Sequence, residues 1–185
     1  MVGHNGGVLS CKFLSENFMI SGGSDASVCV WDMENPHKYL SIYTEHSSDV
    51  VCMAVFEEDA NIFLTGSSDL TSKIWDIRVK SPVQKTLYGH ESSINTVAFL
   101  PKKITTFASG SEDSSIRLYD IRIDREIGTF RDKLFDTIND ISFSKSGRLL
   151  FAGTENTSVK VWDILGPGSI QETFEVGHTK MIKCC

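Results

Sequence analysis

Three times along the chain a histidine, a hydroxyl residue, an aspartate and an aromatic residue recur at nearly fixed spacing. They are His4, Ser21, Asp25 and Trp31; His46, Thr65, Asp69 and Trp75; and His90, Ser109, Asp113 and Tyr119. Ser, His and Asp together are the chemistry of acyl-transfer hydrolases, where the imidazole takes the hydroxyl proton and the carboxylate orients the ring. A catalytic site of that kind occurs once, with an exposed nucleophile. Here the set repeats, an aromatic residue accompanies it each time, and no G-x-S-x-G elbow is present. The same groups suit a structural network better. A buried indole N–H, hydroxyl or imidazole without a partner costs about 1–3 kcal/mol. A Trp–Ser–His–Asp chain satisfies all of them and ties the histidine loop to the strands carrying the rest. A fourth unit lacks the set: Ala152 and Asn156 replace the hydroxyl and the carboxylate, and no histidine leads it. That unit is expected to be held mainly by apolar packing.

The elements that carry these sets repeat as well. All three tryptophans precede an aspartate, at Trp31-Asp32, Trp75-Asp76 and Trp162-Asp163, with Tyr119-Asp120 between the last two; the steps are 44, 44 and 43 residues. Leading loops that end in histidine keep the same time, at Gly3-His4, Glu45-His46, Gly89-His90 and Gly177-His178, with one such histidine missing near Leu134. A period of roughly 40–45 residues is that of four-stranded propeller blades. Short runs rich in β-branched and aromatic residues predict strands at 8–13, 18–22, 28–31 and 39–44 in the first unit. The second reads 50–56, 62–66, 72–75 and 84–88. The third reads 94–99, 105–110, 115–119 and 126–130, and the fourth 138–143, 149–153, 158–162 and 170–175. The first strand of each unit is apolar at nearly every position, as for a strand buried on both faces. The expected fold is therefore all-β: an incomplete β-propeller with blades at about 4–44, 46–88, 90–130 and 134–175 and the start of a fifth at 178–185. The whole of 1–185 reads as one propeller fragment. Such an open arc would leave two blade faces wet, so poor solubility or swapping between chains is expected.

Composition narrows the function. The net charge is −6, which argues against broad binding to nucleic acid or anionic membrane. No apolar run reaches the roughly 18 residues of a membrane span. Cys11, Cys29, Cys52, Cys184 and Cys185 form no C-x-x-C pair, so neither a zinc nor a redox motif is indicated. No phosphate-binding loop is present, no cofactor is expected, and an enzyme is not the reading the residues favour.

The loops ending in Gly-His and the strands ending in Trp-Asp resemble the WD-repeat family over essentially the whole chain. That resemblance implies a propeller acting as a binding platform. Segments 89–95 (GHESSIN), 107–113 (FASGSED), 117–122 (RLYDIR) and 143–153 (FSKSGRLLFAG) are similar to the β subunit of heterotrimeric G proteins. By this register the chain matches the third through sixth of seven blades. The resemblance implies binding to G-protein α and γ subunits and to effectors, and a cytoplasmic place at the inner face of the plasma membrane through those partners. The rim that contacts the α subunit maps to Gly7, Asp49, Val51, Ser93, Asn95 and Glu112. Asp49 and Asn95 match the usual residue and Glu112 keeps its charge. Gly7 stands where a tyrosine is usual, Val51 for methionine and Ser93 for aspartate. Aromatic anchors often carry interface hot spots, so losing the tyrosine is expected to weaken docking.

Two other binding readings use the same fold. Trp75, Asp76 and Arg78 match the W-D-x-R pattern of propellers that serve as substrate receptors of cullin-type ubiquitin ligases; the same arginine also suits a simple ion pair with Asp76. A general WD-repeat scaffold, similar to the receptor for activated C kinase, is the other. The paired Cys184-Cys185 resembles a prenylation signal, but Cys185 shares the register of Val97, a core position.

Overall fold

The computed structural model describes residues 3–35, 39–131, 136–166, 170–174, 180 and 182–183. The expected features at Leu134, His178, Cys184 and Cys185 lie outside these residues. Four antiparallel sheets of four strands follow one another, each with its strands in sequential order. The first holds β1 (Val8–Phe13), β2 (Phe18–Gly23), β3 (Val28–Asp32) and β4 (Tyr39–Tyr43). The second holds β5 (Val50–Val55), β6 (Ile62–Ser67), β7 (Ser72–Asp76) and β8 (Val83–Leu87). The third holds β9 (Ile94–Leu100), β10 (Lys103–Ser111), β11 (Ser115–Asp120) and β12 (Arg125–Arg131). The fourth holds β13 (Ile138–Phe143), β14 (Leu149–Thr154), β15 (Val159–Asp163) and β16 (Ile170–Phe174). All sixteen predicted strands are present, with ends moved by two residues at most. No helix occurs among the described residues.

The turns explain how so short a sequence makes each hairpin. The second and third strands of every sheet join through one left-handed residue: Ala26 (φ 61°), Leu70 (φ 70°), Ser114 (φ 65°) and Thr157 (φ 65°). None is glycine, although the left-handed region costs other residues about 1–2 kcal/mol. In three turns the preceding aspartate offsets that strain. Asp25, Asp69 and Asp113 accept from the backbone N–H of Ser27 (3.1 Å), Thr71 (3.0 Å) and Ser115 (2.9 Å), closing an Asx turn.

The inner strands β1, β5, β9 and β13 lie side by side in that order, so the sheets form successive, unclosed propeller blades. Each inner strand carries a register shift near its start, between Val8 and Ser10, Val50 and Cys52, Ile94 and Thr96, and Ile138 and Asp140. A bulge of this kind re-aims the residue it contains. The core lies between sheets rather than within one. Ile20, Val28 and Val30 of the first sheet pack on Val50, Met53, Phe63 and Trp75 of the second. Leu64 and Ile74 then meet Ile94, Val97, Phe107 and Tyr119, and Ala108, Ile116 and Leu118 meet Ile138, Ile141, Leu150 and Trp162. The aromatic-bearing face of the second, third and fourth sheets thus packs on the far face of the sheet before it. Close approach requires glycine at the junction: a Cβ on Gly22 would lie 2.6 Å from Val50 Cγ1, and one on Gly110 2.6 Å from Ile138 Cγ2.

One expectation needs correcting. β1 is not buried on both faces: Val8 is 56% and Phe13 63% exposed. Its apolar pattern is that of β5, β9 and β13, but among the described residues no sheet covers it.

Candidate functional site: a polar network in each sheet and a shared rim

Each of the three described histidine-bearing loops folds back onto its own sheet. His4 Nδ1 lies 3.0 Å from Asp25 Oδ1, His4 Nε2 lies 2.8 Å from Ser21 Oγ, and the Trp31 indole N–H donates to Ser21 Oγ at 2.7 Å. The second sheet repeats this with His46 to Asp69 (2.7 Å), His46 to Thr65 (2.7 Å) and Trp75 to Thr65 (2.8 Å). Because the carboxylate accepts from Nδ1–H, Nε2 must accept the hydroxyl proton, and the oxygen is left to accept from the indole. This is the bond order of a hydrolytic triad, but Ser21, Thr65 and Ser109 are buried, and the indoles of Trp31 and Trp75 cap the first two oxygens. Each aspartate also accepts from the backbone of its leading loop, at Asn5 (2.6 Å), Ser47 (3.0 Å) and Glu91 (2.9 Å). Burial alone would raise the Asp69 carboxyl. Hydrogen bonds from His46, Thr71 and Ser47 outweigh burial and hold it well below the usual carboxylate range. Asp25 and Asp113 are held low in the same way, against their own burial.

The third sheet departs at its aromatic residue. His90 bonds Asp113 (2.9 Å) and Ser109 (2.7 Å), but the Tyr119 hydroxyl reaches the Tyr88 carbonyl oxygen at 3.4 Å. A phenol extends farther than an indole N–H, so it bonds to the backbone of the leading loop. Burial pushes its pKa up to about 12.

The fourth sheet adds a buried polar pair to its apolar core of Ile138, Ile141, Leu150 and Trp162. Lys160 Nζ donates to Asp136 Oδ2 at 2.7 Å, with side chains only 1% and 3% exposed, and Asn156 Nδ2 donates to the same carboxylate. Lys160 pairs across the strands with Ala152, the position that holds the network hydroxyl elsewhere. At the matching place Lys73 bonds Thr86 and Arg117 pairs with Glu126. Where the sequence supplies no histidine, the lysine turns to the leading loop instead. Ala152 leaves the buried Trp162 Nε1 without a hydrogen-bond partner among the described residues. Ala152→Ser is expected to supply the acceptor and raise stability by about 0.5–1.5 kcal/mol, read as a higher midpoint in urea.

The partner-binding candidates fall on the end of the sheets that carries these loops. Ser24 N–H donates to Gly7 O (2.8 Å), Ser68 to Asp49 (2.9 Å), Glu112 to Ser93 (3.0 Å) and Glu155 to Thr137 (3.1 Å). These bonds clip each leading loop to its own hairpin and set Gly7, Asp49, Ser93 and Glu112 along one rim. Gly7 and Glu112 are exposed; Asp49 and Ser93 are half-buried. Ser93 Oγ lies 2.9 Å from Ser68 Oγ of the sheet before. Val51 and Asn95 are bulge residues, half-buried at the start of their inner strands. Asn95 is also a strut: its amide donates to Ile138 O of the next sheet at 3.0 Å, and Asn139 does the same to Ile182 O at 2.8 Å. Sequence reasoning missed this role. The signal was two asparagines 44 residues apart in identical register.

Trp75, Asp76 and Arg78 lie apart from that rim. Trp75 is in the core, and Asp76 ends β7 at the opposite edge of the sheet. Arg78 bonds Asp76 through Nε (2.9 Å) and Nη2 (2.7 Å) and Asp59 through Nη1 (3.1 Å). Arg122 pairs with Asp120, and Arg148 reaches Asp163 at 2.7 Å. An arginine therefore secures the aspartate of the aromatic–Asp pair in three sheets. No cluster of metal-ligating side chains occurs among the described residues, and no helix there is long and apolar enough to cross a membrane.

Comparison with known proteins agrees with this architecture. Residues 4–181 match the family model for the nucleolar protein 10-like, N-terminal domain, a β-propeller. The chain is 53% identical over 185 residues to a protein of Lymnaea stagnalis named guanine nucleotide-binding protein subunit beta, covering 98% of this chain and 52% of that protein. It is 43% identical to the so-named protein of Schizosaccharomyces pombe, again over 98% of this chain, and 58% of that one. For the so-named protein of Dictyostelium discoideum the identity is 50%, over 98% of this chain and 51% of that one. The chain spans just over half the length of these curated relatives.

Proposed function

The chain belongs to the WD-repeat β-propeller family, matched through the nucleolar protein 10-like propeller model, and we propose that it is a non-catalytic signalling propeller of the G-protein β-subunit kind. Its loop-bearing rim docks a GTP-binding α subunit or an effector, and a γ subunit accompanies it. Lipidated partners hold it at the inner face of the plasma membrane. The observation that carries this reading is the 43–53% identity to three guanine nucleotide-binding protein β subunits over nearly the whole chain. The rim supports it: Asp49 and Glu112 present carboxylates on successive sheets, held by loop-to-hairpin bonds.

Binding of the 185-residue chain to a GDP-loaded α subunit tests the proposal, with the GTP-analogue form as control. Asp49→Ala and Glu112→Ala together are expected to weaken binding at least about tenfold, and Gly7→Tyr to strengthen it. Equal affinity of wild type and the double variant would remove the rim from the interaction. Affinity capture separates the ligase-receptor reading. Recovery of a cullin-ligase adaptor that depends on Arg78, with no α or γ subunit, would favour it. Against it, Arg78 is already engaged by Asp76 and Asp59.

A further inference from the structure

We propose that Asn5, in the leading loop of the first sheet, is a site of spontaneous deamidation through a cyclic imide, and that its isoaspartate product unfastens that loop from its hairpin. Of the seven asparagines in the chain, Asn5 alone is followed by glycine. Cyclisation needs the backbone nitrogen of the next residue to reach the asparagine side-chain carbon. A Cβ on that residue screens the nitrogen, and glycine has none. The fold itself keeps glycine here: a Cβ on Gly6 would lie 2.5 Å from Ser24 Oγ. Asn5 and Gly6 are both exposed. The Gly6 N–H and the Asn5 carboxamide make no hydrogen bond among the described residues, although the backbone on either side is held. The Asn5 N–H donates to Asp25 Oδ2 at 2.6 Å, and the Gly7 N–H donates to Ser24 Oγ at 2.8 Å. The exposure belongs to this place in the fold. Ser47 and Glu91 follow His46 and His90 in sheets covered on both sides; they are exposed too, and their N–H groups donate to Asp69 and Asp113 in the same way.

The chemistry needs only water and hydroxide. The Gly6 nitrogen gives its proton to hydroxide and attacks Asn5 Cγ. The N–Cγ bond forms, the Cγ–Nδ2 bond breaks, and Nδ2 takes a proton from water and leaves as ammonia. Water then opens the imide. Opening at the side-chain carbonyl gives aspartate. Opening at the main-chain carbonyl gives isoaspartate, whose main chain runs through Cβ and Cγ. Either product puts a carboxylate at position 5, beside the Asp25 carboxylate that the Asn5 N–H engages, and like charges so placed repel. Isoaspartate also lengthens the main chain by one methylene between the two anchored residues. Gly7 then slips out of register with Ser24, its partner in two bonds.

Ageing the purified 185-residue chain at pH 7 and pH 9, folded and in urea, tests this. Peptide mapping of the folded chain should find acid in place of amide at Asn5 before any other asparagine converts, and sooner at pH 9 than at pH 7. Methyl transfer by an isoaspartyl methyltransferase should label the aged chain and leave Asn5→Ser unlabelled; that variant carries the residue the second sheet uses at this place. Hydrogen exchange at Gly7 and Ser24 should be faster after ageing, with the third sheet unchanged. An Asn5 amide that persists in the folded chain while it reacts in urea overturns the inference. So does another asparagine that converts first. Acid at position 5 with unchanged exchange at Gly7 and Ser24 overturns the unfastening of the loop.

Discussion

Lys160→Met should lower the stability of the chain by about 3–5 kcal/mol, the usual cost of removing one partner from a buried ion pair. The loss is not the worth of the contact itself. It is the cost of leaving the Asp136 carboxylate, 3% exposed, with only the Asn156 amide as donor among the described residues. Two charges taken out of water repay their desolvation only when both are present. The double variant Lys160→Met, Asp136→Leu should therefore recover most of the loss, because Asn156 is exposed and water replaces its acceptor. Urea denaturation of the three proteins measures this. A single variant within about 0.5 kcal/mol of wild type would show that the fourth sheet does rest on apolar packing alone.

The strands were legible because their signal is local. Alternating β-branched and aromatic runs between Gly, Ser and Asp turns placed all sixteen within two residues. The first three networks were legible because one spacing recurs: a hydroxyl, then an aspartate four residues on, then an aromatic residue six further. The fourth was not. Its substitute joins Asp136, in a leading loop without histidine, to Lys160, at a strand position where lysine and arginine also occur in sheets that keep the histidine. Nothing in the spacing says that Lys73 and Arg117 bond outward to Thr86 and Glu126 while Lys160 bonds inward. That choice depends on what else occupies the space beneath the leading loop, which is a tertiary fact. Tyr119 shows the same limit: the sequence keeps the aromatic slot, but the reach of a phenol moves its bond to the Tyr88 carbonyl. Exposure of β1 was expected of an open arc, but its own residues do not signal it, since they match those of β5 and only the neighbour differs.

Asp69→Ala should cost about 3 kcal/mol and flatten the acid limb of the stability profile. The carboxylate accepts from His46 Nδ1, the Ser47 and Thr71 backbone N–H groups and the Thr71 hydroxyl. Hydrogen bonds to a charged group contribute about 1.5–3 kcal/mol, and each buried donor left alone adds to the loss. The pH dependence follows from the direction of the shift. Asp69 is held below its ordinary carboxylate value in the folded chain. Its contribution is therefore complete above the unfolded value of about 3.9 and is lost as pH falls toward the lower folded value. The same sign applies to Asp25 and Asp113, so wild-type stability should hold from pH 7 to about 5 and fall steeply below about 4. With one of three such carboxylates removed, the slope below pH 4 should shrink by as much as about 1.4 kcal/mol per pH unit. Thermal and urea unfolding at pH 7, 5, 4 and 3 measures both effects. Parallel wild-type and variant profiles would mean that Asp69 binds a proton equally well in the folded and unfolded chain, and that its leading loop is tied down by His46 and Thr65 without it.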